Sequence, residues 1–332
     1  QRYPMNRKIL VTGASGKVGQ NFIAHFKTNS KFKDDSIVAF CHNRLIKEEN
    51  NISVFKGNIT DKNSVFEAMK DITHVIHLAT CKESPDIIID VTVKGLFWLL
   101  EAARESSTFK QFILLGGDAA IGHCVYPYDK PQTETDPFRP YPGCYALSKV
   151  LEETLLTQYY TQYQLNGCCL RAPWIMEKDD FKKSLSFGDD CFGGPKWKTL
   201  VPDAQAKKYA ENNVTPIMSD QNGNAIKRNF VHVSDLSIAI GLAIDNQNTK
   251  HQLFHICMNR PVDYQELADY IKKSKGYDAV QVKTEYHSTW MDNSKAKLFL
   301  GWEPKYDLEK LVDESFFYQR EPNDPRIIYY KG

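Results

Sequence analysis

No stretch of this chain is apolar over the roughly 20 residues that a bilayer-spanning helix needs, and no block of like charge stands out. Lys and Arg number 42 against 41 Asp and Glu, a formal net charge of +1. General attraction to nucleic acid or to an acidic membrane rests on accumulated positive charge, so neither partner is expected. The eight cysteines (Cys41, Cys81, Cys124, Cys144, Cys168, Cys169, Cys191, Cys257) include no C-x-x-C pair, and no metal site is expected. With no secretory apolar region near the start, the thiols read as reduced side chains of a cytoplasmic protein. No internal repeat is visible.

What is present is ordinary for a globular chain, 42% hydrophobic and 25% charged. At 332 residues it exceeds what one core usually encloses, which predicts two lobes. The stretch Val11-Thr12-Gly13-Ala14-Ser15-Gly16-Lys17-Val18-Gly19 follows the apolar run Ile9-Leu10-Val11 and opens a helical pattern over 20–28. Strand, glycine turn and helix start together make a phosphate-binding arrangement. Gly13 permits the turn, Gly16 lets backbone approach a pyrophosphate, and Gly19 lets the helix lie close to the strand. The N–H groups and positive dipole end of that helix then face the anion.

Residues 36–40 read as a second buried strand. An acidic residue commonly follows such a strand to hold the ribose hydroxyls of NAD. Here the segment is Cys41-His42-Asn43-Arg44. No carboxylate repels a 2′-phosphate, and Arg44, with His42, is able to pair with one, so NADP is preferred, with NAD as the alternative. Residues 54–61 suggest a short strand whose loop caps the next helix through Thr60 or Asp61. His74-Val75-Ile76-His77-Leu78-Ala79-Thr80 is a strand ending in small residues, its histidines expected to pack rather than react. A helix over 93–104 carries Leu96, Leu99, Leu100 and Ala103 on one stripe. Strands over 111–115 and 168–171 flank a polar, proline-rich loop (127–142) and a helix from Gly143 to about Tyr163. Strands alternating with helices through residue 171 predict an α/β fold, a doubly wound parallel sheet. Residues 172–227 lack periodicity and read as a loop-dominated substrate lobe. The expected division is 5–171 for the dinucleotide-binding domain, with segments near 228–257 returning to it, and 172–227 with 258–330 for a smaller mixed lobe.

Tyr145 and Lys149 lie four apart at the start of a helix and so share one face. A phenol ionises near pH 10 in water, too high for a base at neutral pH, and an ammonium nearby favours the phenolate. The spacing thus suits an acid–base pair, with the lysine also able to hold a ribose.

In these residues the chain resembles the extended short-chain dehydrogenase/reductases, the group of nucleotide-sugar epimerases and dehydratases. The matching pieces are Thr12 to Gly19, Gly57-Asn58-Ile59-Thr60-Asp61, His77-Leu78-Ala79, Tyr145-Ala146-Leu147-Ser148-Lys149, Leu170-Arg171-Ala172-Pro173, Arg228 to Asp235, and Leu300-Gly301-Trp302-Glu303-Pro304. They occur in the family's order along nearly the whole chain. The resemblance implies that Asn58 and Ile59 meet the adenine, although an aspartate is usual at the first. It implies that Leu78, Ala79 and Thr80 line the cofactor, that Pro173 and Trp174 bound the nicotinamide, and that Arg228 meets a nucleotide phosphate, a surface or interlobe salt bridge being the other reading. The implied substrate is a sugar or nucleotide sugar.

One departure stands out. Where the family places a serine or threonine to bond the substrate oxygen, this chain has Gly116-Gly117-Asp118, with Gly117 at the expected position. Three readings follow. Tyr145 works with water or Asp118 in place of the hydroxyl, at a cost on the order of 3 kcal/mol in the barrier. Alternatively Asp118 is a neutral acid serving a leaving hydroxyl. Or the fold has lost its chemistry and senses NADP(H) or binds a partner. Retention of both Tyr145 and Lys149 argues against the third. The apolar stripes on the helices over 93–104 and 145–163 suggest a homodimer.

Overall fold

A computed structural model describes residues 6–326. The limits expected for the two lobes, residues 5 and 330, fall outside the described residues. Six strands lead the chain into a parallel sheet: β1 (Lys8–Thr12), β2 (Ser36–Cys41), β3 (Ile52–Lys56), β4 (His74–His77), β5 (Gln111–Gly117) and β6 (Gly167–Ala172). A seventh strand, Gln252–His255, joins beside β6, giving the order β3-β2-β1-β4-β5-β6 and then Gln252–His255. Every neighbouring pair is parallel. Such strands are covered on both faces and read as near-continuous apolar runs, as β1, β2 and β5 do.

On one face the Lys17–Thr28 helix buries Phe22, Ile23 and Phe26, next to Leu236, Ala239 and Ile240 of the Val233–Ala243 helix. On the other lie the Gly95–Glu105 and Cys144–Tyr163 helices with the short Lys62–Ala68 helix, which Asp61 caps by accepting from Asn63 N–H. The strand order reverses between β1 and β4, and the crevice above that point is where an open α/β sheet takes its ligand.

Two expectations change. The stripe of Leu96, Leu99, Leu100 and Ala103 is fully buried in this chain's own core, because the helix needs that face to cover the sheet. It is not an available dimer surface. The stretch 172–227 is also more regular than its sequence suggests. It holds the Trp174–Met176 strand, paired with Phe230–His232, the Asp203–Glu211 helix, and the Thr215–Ser219 strand, paired in parallel with Ala279–Lys283. Short elements without periodicity are stabilised there by tertiary contacts. Trp197, Phe230, Tyr264, Leu267 and Val312 fill the small lobe's core.

Candidate active site

The crevice starts from Gly13. Its φ is +64°, and a Cβ there would stand 2.8 Å from Ala79 N and 2.9 Å from the Leu78 carbonyl carbon. The turn after β1 is therefore pressed against the end of β4. Thr12 welds the same two strands. Its hydroxyl accepts from Leu78 N–H (3.0 Å) and Ala79 N–H (3.2 Å) and lies 2.7 Å from His77 Nδ1. With two donors already on the oxygen, the hydroxyl proton goes to Nδ1. Burial first, then the Lys149 charge, lower the His77 imidazole to about 3, so the ring is neutral and structural.

A Cβ on Gly19 would overlap the Gly13 carbonyl oxygen, so the helix sits directly on the turn. Gly16 is the N-cap, and no side chain caps that helix. A backbone cradle with helix N–H groups facing outward fits a dinucleotide pyrophosphate. Ser15 and Val18 are half-buried beside it. Lys17 is turned aside, its Nζ 2.7 Å from Asp180 Oδ2 and 3.1 Å from the Ile175 carbonyl. Arg320 and Arg326 reach the same Asp179–Asp180 pair, and these groups share a small polar hollow with Arg44. His42, Asn43 and Arg44 are exposed at the end of β2. Asn58 Oδ1 accepts from both Thr60 N–H and Oγ1–H, closing its own turn, while Ile59 is buried beneath it. Leu78 is buried, and Ala79 and Thr80 are half-buried.

The other side of the crevice, with Tyr145 and Lys149, is built on the Cys144–Tyr163 helix. Glu83, in the loop after β4, caps that helix, accepting from Cys144 N–H (2.6 Å) and Tyr145 N–H (3.2 Å). The bond from Cys144 Sγ, with the two backbone bonds, holds the Glu83 carboxyl below its usual range. Lys149 Nζ lies 5.5 Å from the Tyr145 ring centre, and Lys82 Nζ lies 5.1 Å from it. Lys149 is buried and paired with Glu152 at 2.8 Å. Gly117, at the end of β5, abuts the lysine stem. A Cβ there would meet Lys149 Cδ at 3.5 Å, an ordinary contact. Tyr141 lies in the field of Tyr145, Asp118 and Glu83, and burial pushes its phenol up.

Asp118 and Arg228 are joined through a residue that pattern reading misses. Asp118 Oδ2 accepts from His123 Nδ1–H at 2.7 Å, and Arg228 Nε–H donates to His123 Nε2 at 3.1 Å. The arginine donor places the ring proton on Nδ1. Arg228 also donates to the Gly194 carbonyl (3.0 Å), and its guanidinium stands 4.4 Å over the Trp174 ring. At 8% exposure it is buried among these partners. Trp174 stacks on Phe192 within the small lobe, and Pro173 is buried. The structure thus gathers Gly117, Tyr145 and Lys149 at one spot, with Asp118 beside them, and holds Arg228 and Trp174 one layer away. Glu83, His123, Tyr141 and Glu152 carry no motif. Only Glu152 had a signal, an acid three residues after Lys149 on the same helical face.

Among curated proteins, anthocyanidin reductase from Arabidopsis thaliana is 22% identical over 353 residues, covering 98% of this chain and 95% of that protein. A UDP-glucuronate 4-epimerase from Thermodesulfobacterium geofontis is 22% identical over 341 residues, covering 94% and 96%. Among solved structures, a short-chain dehydrogenase/reductase superfamily protein from Agrobacterium tumefaciens with bound NAD superposes with a TM-score of 0.78 at 21% identity, covering 93% of this chain and 96% of that one. UDP-glucose 4-epimerase from Thermotoga maritima, with UDP-glucose, gives 0.71 at 22% identity, covering 93% and 98%. The profile of the NAD dependent epimerase/dehydratase family matches residues 9–183, from β1 past β6, and the chain belongs to that family.

Proposed function

We propose that the protein transfers a hydride between a nicotinamide cofactor and a secondary alcohol or carbonyl carbon of a sugar or nucleotide sugar. Tyr145 is the acid–base group and Lys149 its partner and ribose ligand. The observation that carries this is the placing of Lys149 5.5 Å from the Tyr145 ring at the carboxyl ends of the parallel strands, beside the glycine cradle. When bound, the cofactor supplies or accepts the hydride. Tyr145 gives or takes the proton at the substrate oxygen, Glu83 fixes the start of the helix that aims it, and Asp118 is held on the rim by His123. The first reading of the missing hydroxyl, with water or Asp118 in its place, fits this layout.

NADP is preferred over NAD because Arg44 and His42 follow β2 where a carboxylate would repel a 2′-phosphate. Gly13, Ser15, Gly16, Val18, Gly19, Asn58, Ile59, Leu78, Ala79 and Thr80 line the bound dinucleotide. The sugar substrate is supported by the names of the epimerase relatives, and the reductase relative supports a route in which the cofactor leaves after one transfer. A cytoplasmic setting agrees with eight free thiols. No helix among the described residues is long and apolar enough to cross a membrane. A homodimer would use the outer faces of the Gly95–Glu105 and Cys144–Tyr163 helices, where Phe97, Trp98 and Tyr163 gather around the buried Tyr159. Light scattering on the purified chain tests it.

The second reading, a sensor of NADP(H), is favoured by Gly117 alone. Titration with NADPH and NADH, followed by nicotinamide fluorescence, tests cofactor binding. A panel of sugars and nucleotide sugars with Tyr145→Phe as control then tests turnover. Turnover lost in the variant supports the enzyme. Binding without turnover on a broad panel, unaffected by the substitution, makes the protein a sensor.

A further inference from the structure

Beneath the phenol lies a charge that the proposed chemistry leaves unexplained. Glu152 Oε1 stands 2.8 Å from Lys149 Nζ, one turn along the helix, and the residues are only 1% and 3% exposed. Burial works against the ammonium, Glu152 overrides it, and the Lys149 pKa rises. The adjacent acid does not share this task. Glu153 accepts from Arg171 Nε (3.1 Å) and Nη2 (2.8 Å), which commits both its oxygens.

A bare ammonium beside a phenol stabilises the phenolate. An ammonium in contact with a carboxylate is a dipole, and its field at a third group falls off faster than that of a charge. The other groups around Tyr145 do not replace the lost positive field. Lys82 is exposed and screened by water. Glu83 accepts from the Tyr145 N–H, and Asp118, Tyr141 and Tyr286 occupy the same rim. His77 and Cys169 face Lys149 from the strand ends, and burial keeps both uncharged.

We propose that Glu152 is a positioning residue that cancels the charge of Lys149 at the phenol, so that Tyr145 rests protonated, the form that gives its proton to the oxygen in a carbonyl reduction. This rests on the acid–base reading of Tyr145 given above. The carbonyl carbon takes a hydride, and with it both electrons, from the reduced nicotinamide of that reaction. The carbonyl oxygen takes the proton as the Tyr145 O–H bond breaks. The electron pair stays on the phenolate oxygen until solvent returns a proton.

The test does not depend on finding the substrate. Tyrosinate absorbance of the purified chain is titrated with pH, and the Tyr145 signal is taken as the difference from Tyr145→Phe. In Glu152→Gln that signal is expected at a pH about one unit or more lower than in the unaltered chain, with Glu152→Asp restoring the original position. Coincident curves, or a shift to higher pH, overturn the proposal. Removing one partner of a buried pair is destabilising, so a second variant, Lys149→Met with Glu152→Met, accompanies it. If the two charges cancel at the phenol, the Tyr145 signal in this double variant stays where it was; a clear move to higher pH overturns the proposal. On any substrate that turns over, the acid limb of the rate–pH profile for alcohol oxidation should move about one unit lower in Glu152→Gln. An absorbance shift without turnover anywhere on the panel would count against the enzyme reading alone.

Discussion

Gly13 and Gly19 on the nucleotide side of the crevice, and Gly117 on the acid–base side, are glycines for different reasons. At the first two, a Cβ would run into backbone atoms of the β4 end or of the turn itself. At Gly117 the backbone is extended (φ −142°, ψ 152°), and a Cβ would meet only the flexible stem of Lys149 at 3.5–3.7 Å. Geometry dictates the first pair. Nothing steric dictates the third, so its side chain is a matter of chemistry.

Substitutions at these positions are expected to behave oppositely. Gly19→Ala forces backbone apart, and should cost about 3 kcal/mol or more of stability together with cofactor binding. Urea denaturation and an NADPH titration measure both. An alanine variant that binds NADPH normally would break the contrast. Gly117→Ser should change stability by less than about 1 kcal/mol and raise turnover by up to about 100-fold, since it returns one hydrogen-bond donor to the substrate oxygen. A folded serine variant with an unaltered rate would mean that the chemistry has moved to other groups. Arg44→Asp should weaken NADPH about tenfold more than NADH, roughly 1.4 kcal/mol, and equal losses would defeat the NADP preference.

A further effect is in pH. His77, on the nucleotide side, and the distant His232 and His255 are lowered from 6.5 to about 3, about 4 and about 3, chiefly by burial. A depressed histidine binds fewer protons folded than unfolded. Its contribution is present above pH 6.5 and lost as pH falls below that value toward the folded pKa. Each contributes a slope of up to about 1.4 kcal/mol per pH unit. Thermal melts from pH 7 to pH 4 should fall steadily, and His77→Gln should make the fall shallower. An unchanged slope would show that His77 is not buried as described.

Six of the sheet's seven strands were legible because each is a short, largely apolar run, the first of them followed by the glycine turn. The glycine cradle and the Tyr145–Lys149 spacing were legible because both are local, set within nine and five residues. What stayed hidden depends on distant pairing. Glu83 reaches the helix over 61 residues, and Arg228 meets His123 over 105. The apolar stripe from Leu96 to Ala103 showed that a helix has a buried face, but not whether sheet or partner covers it. Lys17 shows the same limit. It sits in the glycine turn, and its ammonium meets Asp180, 163 residues further along the chain.

Because Glu83 comes from the strand-end loop beside the cradle, the phenol is anchored from across the sheet rather than from the segment that leads into its own helix. The exposed positions Pro127, Asp129 and Lys130 of the proline-rich stretch over 127–142 can therefore be changed without touching that anchor. A designer has those positions to alter while Tyr145 stays in register.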